Sequence, residues 1–178
     1  MSWLNPDGLY QKFGREKADT VPGGEVNMFD IHTTEFYVQY TDLLSATPAI
    51  LGSVAPAGTL GVVIPKGARI LACEVLTETA FTSSGTIGSS TLLIGLKKTT
   101  DRSTELDHDG FTTASFVGSR FDAVGERTYV EIGTTGVGAL VGTTLAENGV
   151  VVVSNSAHAS HPYTAGEALV KIHWYATN

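Results

Sequence analysis

Residues 103–111 read STELDHDGF and place Glu105, Asp107, His108 and Asp109 within five positions ahead of Gly110 and Phe111. Such a set can coordinate a cation, share a proton between two carboxylates, or form a turn in which Asp bonds its own backbone while Gly takes positive φ. A calcium loop of the helix–loop–helix kind needs a closing bidentate glutamate about six residues after its central glycine. Gly110 is followed by Phe, Thr, Thr, Ala, Ser and Phe, so that ligand is missing. Asp109-Gly110 is therefore read as a turn connecting two strands, and no metal is expected there.

The remaining chemistry-bearing residues are sparse. The five histidines, His32, His108, His158, His161 and His173, contain no HxH pair of the type that builds an open metal site on a strand. In SAHASHPY, His158 and His161 flank a loop ahead of Pro162; the expectation is a surface loop, with an ion or a pH-sensitive contact between copies as the alternative. No GxSxG elbow is present, and glycine-rich GTTGVGALVGTT (133–144) lacks the GK[ST] ending whose lysine meets phosphates, so it is read as a flexible hairpin or an extended edge segment. A glycan hydrolase would need two carboxylates ~5 to 9 Å apart, and Glu131 with Asp122 or Asp109 is the available pairing. Cys73 is alone, which rules out an internal disulfide framework, a CxxC redox motif and a cysteine zinc cluster. No catalytic residue and no cofactor is expected.

The elements that would carry these residues are strands. EFYVQYTDL places Phe36, Val38 and Tyr40 on one face, LGVVIP and ARILACEVLTETAF flank a turn at Pro65, Lys66 and Gly67, and STLLIGLKK turns Leu92, Ile94 and Leu96 inward. TYVEIGT, GVVVVSN and ALVKIHWYA repeat the period of two, the last with Val170, Ile172 and Trp174 inward and Lys171, His173 and Tyr175 outward. In RILACEVL the same period sets Leu71, Cys73 and Val75 on one face, with the thiol buried. FTTASFVGSRF (111–121) is read as a short helix or an irregular crossing loop. Seven or more strands, separated by Gly, Ser, Thr and Pro, with no helical run long enough for βαβ units, predict an all-β fold, an antiparallel two-sheet sandwich. No Cys, Trp, Cys arrangement of an immunoglobulin-like domain is present, so a jelly roll is the expected topology.

At 178 residues there is room for one sizeable core. The expected organisation is an extended N-terminal arm, 1–33, and a sandwich domain, 34–178. The arm mixes aromatics, charges and turn formers, and Trp3, Leu4, Leu9, Tyr10 and Phe13 need a partner surface, on their own domain or on a neighbour. A net charge of −7 argues against a nucleic-acid partner, which would need a basic face. No basic N-terminus precedes an apolar run and no stretch approaches ~20 apolar residues, so a soluble, cytoplasmically made protein with no membrane partner is expected.

Four segments occur in order: SWLNPDGLYQKFGREKA at the start, VVIPKGARI running into LACEVLTETAF, LLIGLKKTTDRSTELDHDGF, and GTTGVGALVGTT. Together they resemble small virion proteins of tailed bacteriophages, of the head decoration or cement type, and the resemblance spans most of the chain. It implies a non-enzymatic protein of the capsid surface, a homotrimer that binds the major capsid protein at seams of the head lattice and stabilises it. A tail or fibre component is the alternative within a virion. From another class, a carbohydrate-binding module for host attachment would use exposed aromatics, for which Tyr37, Tyr163 and Tyr175 are the candidates.

Overall fold

The computed structural model describes the backbone of residues 2–4 and 10–12, and residues 31–51 and 61–176 in full. The chain forms two units, Met1–Asp30 and Ile31–Asn178. In the first, β1 (Ser2–Leu4) and β2 (Tyr10–Lys12) pair antiparallel, with Trp3 opposite Gln11 and Leu4 opposite Tyr10. Leu9 and Phe13 lie outside the described residues. The second unit begins with β3 (Ile31–Gln39), so residues 31–33 are strand there. Among the described residues no helix is long and apolar enough to cross a membrane.

The second unit holds β3, β4 (Ala49–Ile50), β5 (Val63–Ile64), β6 (Ala68–Ser83), β7 (Leu93–Lys98), β8 (Glu105–Thr112), β9 (Arg127–Glu131), β10 (Gly149–Ser154) and β11 (Tyr163–Ala176). One sheet has the order β3-β11-β6-β9; the other has β4-β10-β7-β8, with β5 also beside β10. Every pair is antiparallel. Counting β4 and β5 as one position, the strands nest from the outside in: β3 pairs the last strand, β4 and β5 pair β10, β6 pairs β9, and β7 pairs β8. The pairs β11·β6 and β10·β7 join these nested hairpins into sheets. The expected all-β, antiparallel character is observed.

Alternation is what makes these segments strands, because a side-chain period of two sends every second residue to the core. Phe36, Val38, Ile70, Cys73, Val75, Val130, Ala168, Val170 and Ile172 from the first sheet meet Ile64, Ile94, Leu96, Phe111, Val151 and Val153 from the second in one buried cluster. Tyr40 and Trp174, both expected inward, are half-buried against that cluster, and Trp174 donates its indole N–H to Thr34 Oγ1 at 2.9 Å. One expected face is corrected. A register shift between His173 and Trp174 pairs Ala72 with His173 but Ile70 with Trp174. Leu71 is the extra residue of that bulge, so Ile70 rather than Leu71 joins Cys73 and Val75 in the core.

The turn before β6 forms as expected: Ala68 N–H donates to Pro65 O at 3.1 Å, and Gly67 has φ of 82°. Of residues 111–121, Phe111 and Thr112 end β8 and the rest form a crossing loop with a single short 3-10 turn, Gly118–Arg120. It exists because Phe116 and Phe121 are pulled under the sheets, where Phe121 packs on Phe116 (ring centroids 4.8 Å) and on Phe81 (6.2 Å). Phe81 also meets Tyr163 at 5.2 Å. The bent end of β11 makes room for Phe81: Gly166 has φ of 133°, and any side chain there would run into the Phe81 ring.

Residues 133–144 are neither a hairpin nor a free edge. Gly138 and Leu140 donate backbone N–H bonds to Phe111 and Gly110 of β8, while Gly142 donates to Ile70 and Leu145 to Ala68 of β6. The segment therefore ties one sheet to the other, which is why it is rich in glycine yet hydrogen-bonded along its length.

Candidate functional site

Three places bring polar side chains together: the acidic segment of β8, the turn holding the histidine pair, and the outward face of the β3-β11-β6-β9 sheet. The first corrects the sequence expectation. Residues 105–112 are strand, not turn, and the connection lies four residues earlier, where Asp101 accepts from Ser103 N–H (3.0 Å), Thr104 N–H (2.7 Å) and Thr104 Oγ1 (2.6 Å). Leu96 pairs with Asp107 but Ile94 pairs with Thr112, so β8 carries extra residues in a wide bulge. Gly95 allows it, since a Cβ there would collide with the Asp107 and His108 backbone. Local turn propensity at Asp109-Gly110 gave way to the bonds from residues 138 and 140 across the bulge.

The bulge gathers Asp107, His108 and Asp109, whose ligand-type atoms lie within 4.8 Å of one another. Burial raises the pKa of Asp107 above its ordinary value, and hydrogen bonding to Asp109 adds to the shift. His108 Nδ1 stands 3.1 Å from Glu105 Oε2, and Asp109 N–H reaches Asp107 Oδ1 at 3.4 Å. The arrangement can share a proton between two carboxyls, and its members are engaged with each other.

The histidine pair lies in a surface turn, as expected, with Ser156, Ala159 and Ser160 exposed, and the turn is braced. His161 Nδ1 accepts the Thr86 N–H at 2.9 Å, and its carbonyl accepts from Ser90 Oγ (2.8 Å) and Asn155 Nδ2 (2.9 Å). Asn155 is buried, and its Oδ1 accepts from Thr91 N–H (3.0 Å) and Ala157 N–H (3.1 Å). His158 N–H caps the same turn on Asn155 O at 3.0 Å. The sequence signal for this brace is Asn155, a turn former ending a run of valines.

The network missed in the sequence centres on Glu74, a charge inside the apolar run RILACEVL. It is only 4% exposed although it faces outward. Cross-strand register sets rows over the face: Glu35, Lys171, Glu74 and Tyr129 in one, Thr33, His173, Ala72 and Glu131 in the next. Arg127 Nε lies 2.6 Å from Glu74 Oε1, and His173 Nε2 lies 3.6 Å from Oε2. His173 Nδ1 is 3.1 Å from Thr33 Oγ1, and Lys171 pairs with Glu35 at 2.9 Å. The Arg127 hydrogen bond holds the Glu74 carboxyl below its ordinary pKa, against the opposing effect of its own burial. These contacts fasten four strands in register. Cys73, on the core side of the same strand, has its thiol pushed up to about 12 by burial and by the Glu74 charge, far from thiolate chemistry.

The other candidates are dispersed. Glu131 and Asp122 are exposed, on β9 and in the loop before it, and Asp109 sits on β8 of the other sheet. Tyr163 is buried among aromatics, so it leaves the proposed sugar-binding set, and Tyr37 and Tyr175 lie near opposite ends of the β3·β11 pairing. Trp3, Leu4 and Tyr10 are on the β1·β2 pair.

No family model matches the chain, and no curated protein matches it. Among solved structures it is similar to a chain of the cyanophage Pam1 capsid asymmetric unit, with 12% identity, a TM-score of 0.46 and coverage of 93% of this chain and 98% of that one. It is also similar to a chain of the capsid of Ralstonia phage GP4, with 14% identity, a TM-score of 0.46 and coverage of 91% and 92%.

Proposed function

We propose that this chain is a non-enzymatic structural protein of a phage virion, a head decoration or cement protein that binds the outside of the capsid lattice and stabilises it. The observation that carries the reading is the ordered set of four segments resembling such proteins, from SWLNPDGLYQKFGREKA to GTTGVGALVGTT. The strand pairing supports the reading: nested antiparallel pairs in two sheets are what a jelly-roll sandwich, a fold of viral capsid and lectin domains, would require. Fold alone does not assign a role, but the side chains agree too. Asp107, His161 and Glu74, the groups best placed for chemistry, are engaged with neighbours in a bulge, a turn and a sheet.

In this reading the protein works by mass action, adding contacts that favour the assembled lattice over its parts. Its partners are the major capsid protein and two further copies of itself in a trimer, and Trp3, Leu4, Leu9, Tyr10 and Phe13 are the anchors. A pair of three-residue strands is marginal by itself in water, so the β1·β2 pair needs a surface to lie on. The test is fractionation of the particles: the protein should copurify with heads, in a fixed ratio to the major capsid protein. Recovery with tails would move it to a tail or fibre role, and absence from both would end the virion reading.

A further inference from the structure

Each of the two sheets of the second unit has two edges, and an open edge strand is a template for pairing with another chain unless something blunts it. Three of the four edges are blunted. The β4/β5 edge consists of two separate two-residue strands. β8 is broken by its bulge, carries Glu105, Asp107 and Asp109, and has backbone bonds from residues 138 and 140 on it. β9 is five residues long, with Arg127 and Glu131 at its ends. β3 differs from all of them. It runs for nine residues in unbroken register with β11, contains no proline, lysine or arginine, and has no bulge. Its one carboxylate, Glu35, is already paired with Lys171 of its own sheet. Among the described residues nothing pairs with its other side. Its outward face also shows Ile31 and Tyr37, 63% and 51% exposed.

We propose that β3 pairs with β3 of a second copy of this chain, antiparallel about a two-fold axis at Thr34. The register follows from the sequence of the strand. A symmetric pair must place residues of like parity opposite each other, so that outward faces and free N–H groups match. An axis at Glu35 would set the two glutamates face to face, which is destabilising. An axis at Thr33 would put Ile31 against Glu35, and one at Phe36 would leave Ile31 unpaired. An axis at Thr34 puts each Ile31 opposite Tyr37 of the other copy, twice over, and each Glu35 opposite Thr33. The apolar pair then lies beside Leu169, which is opposite Tyr37 in the register with β11 and half-buried. The contact is isologous, so it adds to a three-fold association without replacing it and makes the number of chains in the assembly even.

Residues 31 and 37 of one copy are ~20 Å apart along the strand, too far to compensate each other. The double variants Ile31→Glu/Tyr37→Glu and Ile31→Lys/Tyr37→Glu therefore test the register itself. Sedimentation equilibrium at micromolar concentration should give the wild type an even number of chains of 18.7 kDa. The glutamate pair should halve that mass, and the lysine–glutamate pair should restore it. Both sites are more than half exposed, so neither variant removes core volume. A wild type with an odd number of chains overturns the proposal, and so do double variants of equal mass, the result expected if the chain's own residues cover the edge. Loss of the trimer alone leaves a dimer, which separates failure of the three-fold reading from failure of this one.

Discussion

Glu74 is a carboxylate removed from water on the outside of a sheet, a position that would favour its neutral form if it stood alone. The Arg127 hydrogen bond outweighs that, helped by the Arg127 charge, the His173 bond and the Lys171 charge. A carboxyl whose folded pKa lies below its unfolded value, ~4.3, contributes stability that is complete above that value and is lost as pH falls through the folded one. The wild-type melting temperature should therefore fall more steeply than that of Glu74→Gln between about pH 5 and 3; parallel calorimetric curves would contradict this. Asp107 has the opposite sign, because burial and Asp109 raise its pKa. Its contribution is present below the unfolded value of ~3.9 and is lost as pH rises through the folded one. Asp107→Asn should melt higher than wild type at pH 7 and at the same temperature at pH 3. Since Asp107, His108 and Asp109 are occupied with each other and with Glu105, a chelator should leave the melting temperature unchanged. A drop of several degrees would show that a cation holds the bulge.

At the scale of elements, the irregular connections are held as firmly as the strands. Asn155 replaces a missing strand pair by binding Thr91, Ala157 and His161 at once, from a buried position. Asn155→Ala leaves the buried Thr91 N–H without its acceptor, while the His161 carbonyl keeps Ser90 Oγ, and a buried unsatisfied group costs about 1–3 kcal/mol. Urea unfolding should show that loss with an unchanged denaturant slope. A variant as stable as wild type would mean that water takes over the contacts. The sheet-tying segment 133–144 works in the same way through backbone bonds to β6 and β8. Gly138 lets the segment lie against the Asp109–Gly110 backbone, a close approach that composition alone presents as looseness.

For the whole molecule, the division at Asp30 allows attachment and folding to be tested separately. Among the described residues, core side chains come from Phe36 onward, and strand pairing within the second unit starts at Ile31. Removing residues 1–24 should leave β-rich circular dichroism and a cooperative melt but abolish binding to empty heads. Buried aromatic anchors often lose ~2 kcal/mol or more each on truncation, so losing the whole set is a large effect. Wild-type occupancy of heads by the truncated chain would refute the anchoring role, and failure to fold would place the segment in the core of the protein.

Some of this was determined by sequence alone, because it depends on local quantities. Side-chain period and apolar transfer free energy are read over a few residues, so Phe36 and Val38, Leu92, Ile94 and Leu96, and Val170 and Ile172 were identifiable as core positions before any pairing was known. The turn at Pro65 and Gly67 was legible for the same reason, its backbone preference being its own. Asp109-Gly110 has an equally strong preference and does not turn, because Gly95 admits the bulge and Gly138 and Leu140 bond across it. Within ARILACEVLTETAF nothing marks a partner for Glu74, because Arg127 and His173, more than fifty and nearly a hundred positions away, are brought to it only by β9 and β11. Pairing order, bulges and the fate of a buried charge depend on contacts between residues far apart in the chain. Only tertiary structure brings those residues together, so only it decided which polar groups became braces and which edge has no strand partner among the described residues.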